Sequence, residues 1–115
     1  AEVLTEPLDR ALLEQLRSAS AATGERVWRM PLVEDYTDAL ESEVADLRHV
    51  AAAGGPSGGS ITAALFLREF VGRRRWAHLD IAGPGRADKD EHEVTKGATG
   101  FGTRLLLRWL EEGAV

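Results

Sequence analysis

The segment 76–82, Trp-Ala-His-Leu-Asp-Ile-Ala, constrains the fold of this chain more than any other. It is nearly continuous in apolar character and has the length of a strand, which is typical of a strand covered on both faces. The polar and glycine-containing residues of 83–95 predict a loop. Residues 101–110 predict a helix, because apolar side chains recur there at every fourth position. A strand, a loop and a closing helix together indicate a layered α/β domain.

The first third of the chain also alternates between helical and extended patterns. Apolar residues recur at helical spacing over 8–22, and Gly24 stands where a helix would end. Residues 27–30 predict a short strand that Pro31 terminates, because proline cannot donate a ladder hydrogen bond. Residues 1–7 carry no clear pattern and are interpreted as a strand remnant or a loose end.

The middle of the chain leaves one segment undecided and predicts one buried helix. Residues 33–50 fit either a helical stripe or a short extended segment. The glycines and proline of 51–60 exclude regular structure, and Ser60 is well placed to cap the next helix. That helix, 61–71, is apolar on nearly every side and is expected to be buried over most of its surface. The sequence therefore predicts an α/β fold with helices packed on a mostly parallel sheet.

Composition restricts the class of protein. The chain has 115 residues, of which 43% are hydrophobic and 29% charged, so it is long enough for one domain with a core. The net charge of −5 disfavours binding to nucleic acid phosphates. The chain has no cysteine, and its longest apolar run, 61–67, is far shorter than the roughly 20 residues of a membrane-spanning helix. We expect a cytoplasmic protein that binds neither nucleic acid nor membrane.

Two groups of titratable side chains are candidates for chemistry. His78 and Asp80 alternate on one face of the predicted strand. Such a pair can bind a metal ion, the carboxylate can orient the imidazole to act as a base, or the pair can be structural, and we favour the structural pair. His92 lies among the acidic residues of 88–93, which favours a solvated loop over a weak cation site. His49 has no evident partner. The sequence contains no complete catalytic constellation and no predicted metal ligand.

The glycine-rich segment before the helix 61–71 invites a phosphate-binding interpretation, because free backbone N–H groups at a helix start attract anions. The segment lacks the lysine of the Walker motif, and its glycine spacing does not match the dinucleotide fingerprint. A plain connection into a buried helix is the better interpretation.

Four blocks of sequence resemble one known enzyme family. In chain order they are Trp28-Arg-Met-Pro-Leu32, Ala45-Asp-Leu47, Gly59-Ser-Ile-Thr-Ala-Ala-Leu-Phe-Leu-Arg-Glu-Phe-Val71, and the last third, Trp76-Ala-His-Leu-Asp-Ile-Ala-Gly-Pro84 with Lys96-Gly-Ala-Thr-Gly-Phe-Gly102 and Leu105-Leu-Leu-Arg-Trp-Leu110. In this order they resemble the end of the leucyl (cytosol) aminopeptidase family. Its members are two-metal exopeptidases that remove N-terminal residues from peptides.

The resemblance implies that residues 1–115 are the C-terminal segment of the family's catalytic domain. The family's metal-binding signature, Asn-Thr-Asp-Ala-Glu-Gly-Arg, does not occur in this sequence. The resemblance therefore implies that two divalent metal ions, manganese or zinc, and the catalytic residues belong to polypeptide upstream of this chain. We expect neither within 1–115, and we expect the chain alone to be inactive. For the full-length enzyme the resemblance implies a peptide substrate and a homo-oligomer.

Two positions carry over from the family's pocket for the N-terminal side chain of the substrate. The wall of that pocket includes the alanine that ends the Asp-Ile-Ala-Gly strand and a residue three positions later, often methionine. These positions are Ala82 and Gly85 in this chain. Gly85 departs from the family pattern, so the resemblance implies a wider and less apolar pocket. The block 96–100 is expected to fix the entry to the last helix.

Two functions remain open from the sequence. The chain is either a portion of an aminopeptidase that supplies core and pocket wall, or a non-catalytic binding or structural module that retains part of the fold. If this chain is folded alone, its partial sheet would expose an unpaired strand edge and an apolar face, which predicts dimerisation or higher association.

Overall fold

A computed structural model of the chain describes residues 1–5, 9–51, 55 and 58–113. The predicted order of helix, strand, helix, strand and helix is present, with additional short elements. The elements in chain order are β1 (Glu2–Thr5), α1 (Arg10–Thr23), β2 (Trp28–Arg29), a 3-10 helix (Glu34–Leu40), α2 (Gly59–Arg68), β3 (Ala77–Asp80), β4 (Arg86–Ala87), β5 (Gly97–Ala98) and α3 (Thr103–Glu111). No helix in the described ranges is long and apolar enough to cross a membrane.

The main sheet of the described residues has the strand order β2-β1-β3, with β1 in the centre. β1 runs parallel to β2 and antiparallel to β3, so that Leu4 lies opposite His78 and Glu2 lies opposite Asp80. The start of the chain is thus a strand, the first of the two alternatives for that segment. The predicted mostly parallel sheet is not confirmed, because one of the two pairings is antiparallel. An apolar pattern identifies a strand but not the direction of its neighbours.

The core lies on both faces of β1. Successive side chains of a strand point to opposite faces. Val3 therefore packs with α1 and α3, and Leu4 packs with α2 and the 3-10 helix; both side chains are 0% exposed. The residues of β3 are only partly buried, so the predicted burial of 76–82 on both faces is wrong. β3 lies at the edge of the described sheet, and β1 is the strand that both helical layers cover.

α1 ends where the sequence predicted. Gly24 adopts the left-handed conformation, with φ of 77°, and its N–H donates to the carbonyl of Ser20 at 2.9 Å. Glycine adopts this conformation at little steric cost, which makes it the usual residue at a helix C-terminus. The Ser20 hydroxyl donates to the carbonyl of Glu25 at 2.8 Å and fixes the exit of the chain from the helix.

α2 differs from its prediction in its start and in its burial. The helix begins at Gly59, so Ser60 lies inside the first turn, and no side chain caps the helix start. Its buried residues fall on one face and are Ile61, Thr62, Ala64 and Leu65. Beyond its end, Phe70 is 70% exposed. The expected burial over most of the surface is therefore wrong: in the described residues, α2 packs against β1 and the 3-10 helix through a single face.

Two segments for which the sequence predicted no single regular structure contain defined elements. In the undecided segment 33–50, a 3-10 helix places Leu40 in the core, and irregular backbone follows it. Arg68 at the end of α2 binds the Glu34 carboxylate with both of its terminal nitrogens, one of them at 2.9 Å. The predicted loop 83–95 contains β4, which pairs with β5 in a short antiparallel ribbon. The pairing residues are only two on each side, too few to give a strand pattern in sequence.

Glu25 ties the end of α1 to the start of α3. Its carboxylate is 5% exposed and accepts the N–H of Gly102 at 3.1 Å and the N–H of Leu105 at 2.8 Å. The Arg104 guanidinium lies 3.5 Å from the other carboxylate oxygen. The first N–H groups of a helix have no partner within the helix, and a negative charge is favourable there. Glu25 satisfies two such donors inside the protein.

Replacing Glu25 by alanine is expected to lower the free energy of unfolding by about 1–3 kcal/mol, because two buried N–H groups lose their acceptor. Urea unfolding of the two chains measures the difference. Glu14→Ala is the matched control, because the Glu14 side chain is 68% exposed. Equal losses for Glu25→Ala and Glu14→Ala would contradict the anchoring role of Glu25.

Candidate substrate pocket

The chain turns sharply at the end of β3. The Asp80 carboxylate accepts the N–H of Ala82 at 3.0 Å, and the N–H of Gly85 donates to the carbonyl of Ile81 at 2.8 Å. Aspartate side chains commonly stabilise turns by accepting a backbone N–H two residues ahead. We call residues 81–85 the wall turn. The turn leaves Ala82 exposed at the end of the sheet.

A cleft of about 420 Å³ lies beside the wall turn. Its lining residues are Ala1, Glu2, Trp28, Asp80, Ala82, Gly83 and Pro84. Trp28 is 72% exposed, and the acidic residues Glu2 and Asp80 lie opposite each other across the strand ladder. The cleft thus brings Ala82 next to an aromatic ring and negative charge. That Ala82 contacts a substrate stays a prediction.

Gly85 is held against the backbone of the wall turn. It is not among the residues that line the cleft, and a Cβ atom at this position would lie 2.7 Å from the carbonyl oxygen of Ile81. So short a contact with a backbone atom requires the turn to shift. Glycine therefore fits the close approach of two backbone segments in this chain. The predicted widening of the pocket by Gly85 stays a prediction.

His78 lies on the face of β3 that is directed toward α2, opposite the buried Leu4. Its ring stacks on Trp76 with the ring centroids 6.4 Å apart and an angle of 29° between the planes. Burial lowers the pKa of His78 from its ordinary value of 6.5, and the Asp80 charge opposes this shift. Asp80 also holds the wall turn, so the pair has contacts that do not involve a metal ion.

The acidic loop 88–93 surrounds a hollow of about 750 Å³. Asp90 accepts the backbone N–H of Lys96 at 2.7 Å, and Glu93 lies 3.7 Å from Arg104. His92 has a positive φ of 54° and lies in the turn between these residues. In the parts of the chain that the structure describes, no three side chains of His, Cys, Asp or Glu are arranged to hold a metal ion.

Thr99 contacts the wall turn, a feature that the sequence did not indicate. Its hydroxyl donates to the carbonyl of Pro84 at 2.5 Å, and its N–H donates to the carbonyl of Gly85 at 3.1 Å. The block 96–100 was expected only to fix the entry to the last helix.

Glu25, too, was not indicated by the sequence, because its hydrogen-bond partners lie 77 and 80 residues away. Half of the glycine-rich segment 51–60 that was considered for phosphate binding, residues 52–54, 56 and 57, lies outside the described residues.

Gly85→Ala is expected to lower the free energy of unfolding by about 1–3 kcal/mol, because the new methyl group would displace the backbone of Ile81. Gly83→Ala is the matched control, since a Cβ atom at Gly83 meets no atom within 4 Å. Urea unfolding of both variants measures the difference. If Gly85→Ala is as stable as Gly83→Ala, the expectation is contradicted, because the turn then shifts without lowering the free energy of unfolding.

His78 is expected to titrate below 6.5 in an NMR titration of its ring protons, and Asp80→Asn is expected to lower this pKa further. Asparagine keeps the oxygen that accepts the Ala82 N–H and removes only the charge. Because the folded state favours the neutral ring, the unfolded chain binds the proton more tightly. The contribution of His78 to stability is therefore present above 6.5 and is lost as the pH falls below it. A His78 pKa at or above 6.5 would contradict the desolvation of the ring.

Comparison with known proteins identifies the family. The family model described as "Cytosol aminopeptidase family, catalytic domain" matches residues 4–107. The chain is 52% identical over 103 residues to a probable cytosol aminopeptidase of Geobacter sulfurreducens, covering 90% of this chain and 20% of that protein. It is 51% identical over 102 residues to one of a Synechococcus species, covering 89% of this chain and 19% of that protein. The chain thus spans about one fifth of the length of these curated relatives.

Solved structures agree with the sequence comparison. The fold is similar to that of a mutant of tomato leucine aminopeptidase, with a TM-score of 0.80 and 37% identity over 97% of this chain and 20% of that chain. It is also similar to the cytosol aminopeptidase of Coxiella burnetii, with a TM-score of 0.82 and 32% identity over 97% of this chain and 23% of that one. The described helices and mixed sheet are therefore a partial α/β fold of leucine aminopeptidase type. The chain belongs to the cytosol aminopeptidase family.

Proposed function

We propose that residues 1–115 are the C-terminal segment of the catalytic domain of a leucyl aminopeptidase, which removes N-terminal residues from peptides. The observation that carries this proposal is the match of a catalytic-domain model to residues 4–107. That match includes the end of β3, where Ala82 borders a cleft large enough for an amino-acid side chain. The cleft lies at the carboxyl end of β3 and beside the first residues of β1 and β2.

In this proposal the chain supplies scaffold and pocket wall, and other polypeptide supplies the chemistry. The family depends on metal ions, proposed here to be two manganese or zinc ions. The described residues do not fit such a site, because they contain no suitable group of three ligand side chains. The metal-binding signature is likewise missing from the sequence. The ions and the catalytic residues are therefore assigned to segments upstream, and no step of the reaction is assigned to this chain.

The role proposed for Ala82 is contact with the N-terminal side chain of the peptide. Its methyl group presents a small apolar surface, and the bond from Ala82 N–H to Asp80 keeps it at the end of the sheet. Trp28 would extend the apolar lining of the cleft. Gly85 is proposed to belong to the same wall. Because Gly85 has no side chain, it would shape the pocket only through the conformation of its backbone.

The proposal extends to compartment and assembly. The relatives are named cytosol aminopeptidases, and we propose a cytoplasmic protein with peptide substrates and no nucleic acid or membrane partner. A homo-oligomer is supported by large apolar side chains on the surface of α3, where Leu107 is 55% and Leu110 is 63% exposed. Exposed apolar groups in one region are typical of surfaces that contact another polypeptide.

A non-catalytic module is the second candidate. The same exposed apolar residues of α3 favour it, because they suit a binding surface as well as an interface within an enzyme. The two functions differ in whether this segment supports turnover when the remainder of a catalytic domain is supplied.

A chimera tests the proposal. Residues 4–107 replace the matching segment of the Geobacter relative, and hydrolysis of leucine p-nitroanilide is measured with added manganese. We expect activity within about tenfold of that of the relative. Ala82→Phe in the chimera is expected to lower kcat/KM for this substrate by at least about tenfold, because the ring fills the pocket.

Ala22→Phe is the matched control for the chimera, since Ala22 is exposed on α1, far from the wall turn in sequence. A folded but inactive chimera would favour the non-catalytic module. The 1–115 chain is assayed alongside, and we expect no turnover from it. Turnover by that chain alone would contradict the assignment of the catalytic residues to other polypeptide.

A further inference from the structure

The wall turn is held from both of its ends. At the β3 end, the Asp80 carboxylate binds the N–H of Ala82. At the other end, Thr99 binds two consecutive carbonyl groups, those of Pro84 and Gly85. Thr99, which directly follows β5, thus holds the second half of the wall turn.

We propose that Thr99 is a positioning residue for substrate selectivity, which acts on the pocket through the carbonyl groups of Pro84 and Gly85. This inference rests on the proposed function, because it assigns the wall turn to the pocket for the N-terminal side chain. Thr99 is not among the residues that line the cleft, whereas Pro84 is. Its effect on the substrate is therefore indirect.

The hydroxyl of Thr99 adds a contact that the strand pairing does not provide. β4 and β5 pair Arg86 with Ala98, and the N–H of Thr99 continues this pairing by one residue, to Gly85. The pairing would form with any residue other than proline at position 99. The bond to Pro84, in contrast, requires a side-chain donor, and it reaches the residue that lines the cleft beside Gly83.

The orientation of the hydroxyl is fixed by a second hydrogen bond. The N–H of Phe101 donates to the Thr99 oxygen at 3.2 Å. A hydroxyl has one proton to donate, and an oxygen that accepts from Phe101 directs that proton to another acceptor. Thr99 is partly buried, so water competes less for this proton than it would at the surface. The carbonyl of Pro84 is the acceptor that the structure provides.

The backbone that carries Thr99 is anchored in the core. The N–H of Gly102, three residues further on, binds the buried carboxylate of Glu25. Leu105, which is bound by the same oxygen, is fully buried against α1. The end of α1 is therefore connected to the wall turn in three steps: the hydrogen bond from Gly102 to Glu25, the backbone between Gly102 and Thr99, and the hydrogen bond from Thr99 to Pro84. Thr99 can hold the wall turn because its own position is fixed.

The first arm of the test measures selectivity in the full-length protein that carries this segment. The kcat/KM values for leucine and alanine p-nitroanilides are compared for Thr99→Val and Thr99→Ser. Valine keeps the shape and removes the donor, and the leucine-to-alanine ratio is expected to change by about three- to tenfold. Serine keeps the donor and is expected to restore the ratio to within about twofold.

Thr95→Val is the matched control for Thr99→Val, because it makes the same substitution at an exposed position just after the acidic loop. An unchanged leucine-to-alanine ratio of kcat/KM in Thr99→Val would overturn the proposal. The same holds if kcat/KM falls by an equal factor for both substrates, because the ratio is then unchanged. A ratio that valine and serine change equally would overturn it as well, since the effect would then not depend on the donor.

The second arm does not depend on catalysis and uses the 1–115 chain. Amide hydrogen exchange at Gly85, whose N–H binds Ile81, reports on the wall turn. Thr99→Val is expected to speed this exchange by at least about fivefold relative to the amides of α1, which separates local opening from a general loss of stability. Unchanged relative exchange would overturn the proposal. If the full-length protein hydrolyses neither substrate, the proposed function fails, and the exchange at Gly85 still decides whether Thr99 holds the turn.

Discussion

Burial of β1 on both faces is the interaction on which the described fold depends. Val3 and Leu4 are adjacent in sequence, point in opposite directions and are both inaccessible to solvent. One joins the helices α1 and α3, and the other joins α2 and the 3-10 helix. Two helical layers are thus held to one strand, and loss of either side chain would leave a cavity between β1 and one layer.

A second constraint connects two parts of the fold that lie far apart in sequence. The Glu25 carboxylate binds the first turn of α3, and α3 carries the fully buried Leu105 into the core beside α1. A buried carboxylate is unfavourable unless it is hydrogen-bonded or paired with an opposite charge. Here the two N–H donors and Arg104 provide these partners. The end of α1 and the start of α3 are therefore fixed relative to each other, and the ribbon before α3 takes its position from them.

The candidate site lies at the end of this arrangement, and we propose no catalytic role for the residues that line it. Ala82 borders the cleft because β3 ends at Asp80 and the chain turns there. The residue types alone indicate an α/β domain but do not indicate an activity. The substrate-binding role of Ala82 and Gly85 is a prediction that rests on the resemblance to a family, and the match to that family is confirmed. The contacts of Thr99 came from the structure.

The sequence by itself determined the features that depend on neighbouring residues. The end of α1 at Gly24 and the short strand before Pro31 follow from local spacing and backbone preference, and both were predicted. Tertiary structure decided the direction of β3, the single buried face of α2, and the partners of Glu25 and Thr99. These features arise from contacts between segments that are many residues apart. A local pattern shows that a residue is apolar, charged or able to donate a hydrogen bond, but not which distant group it meets.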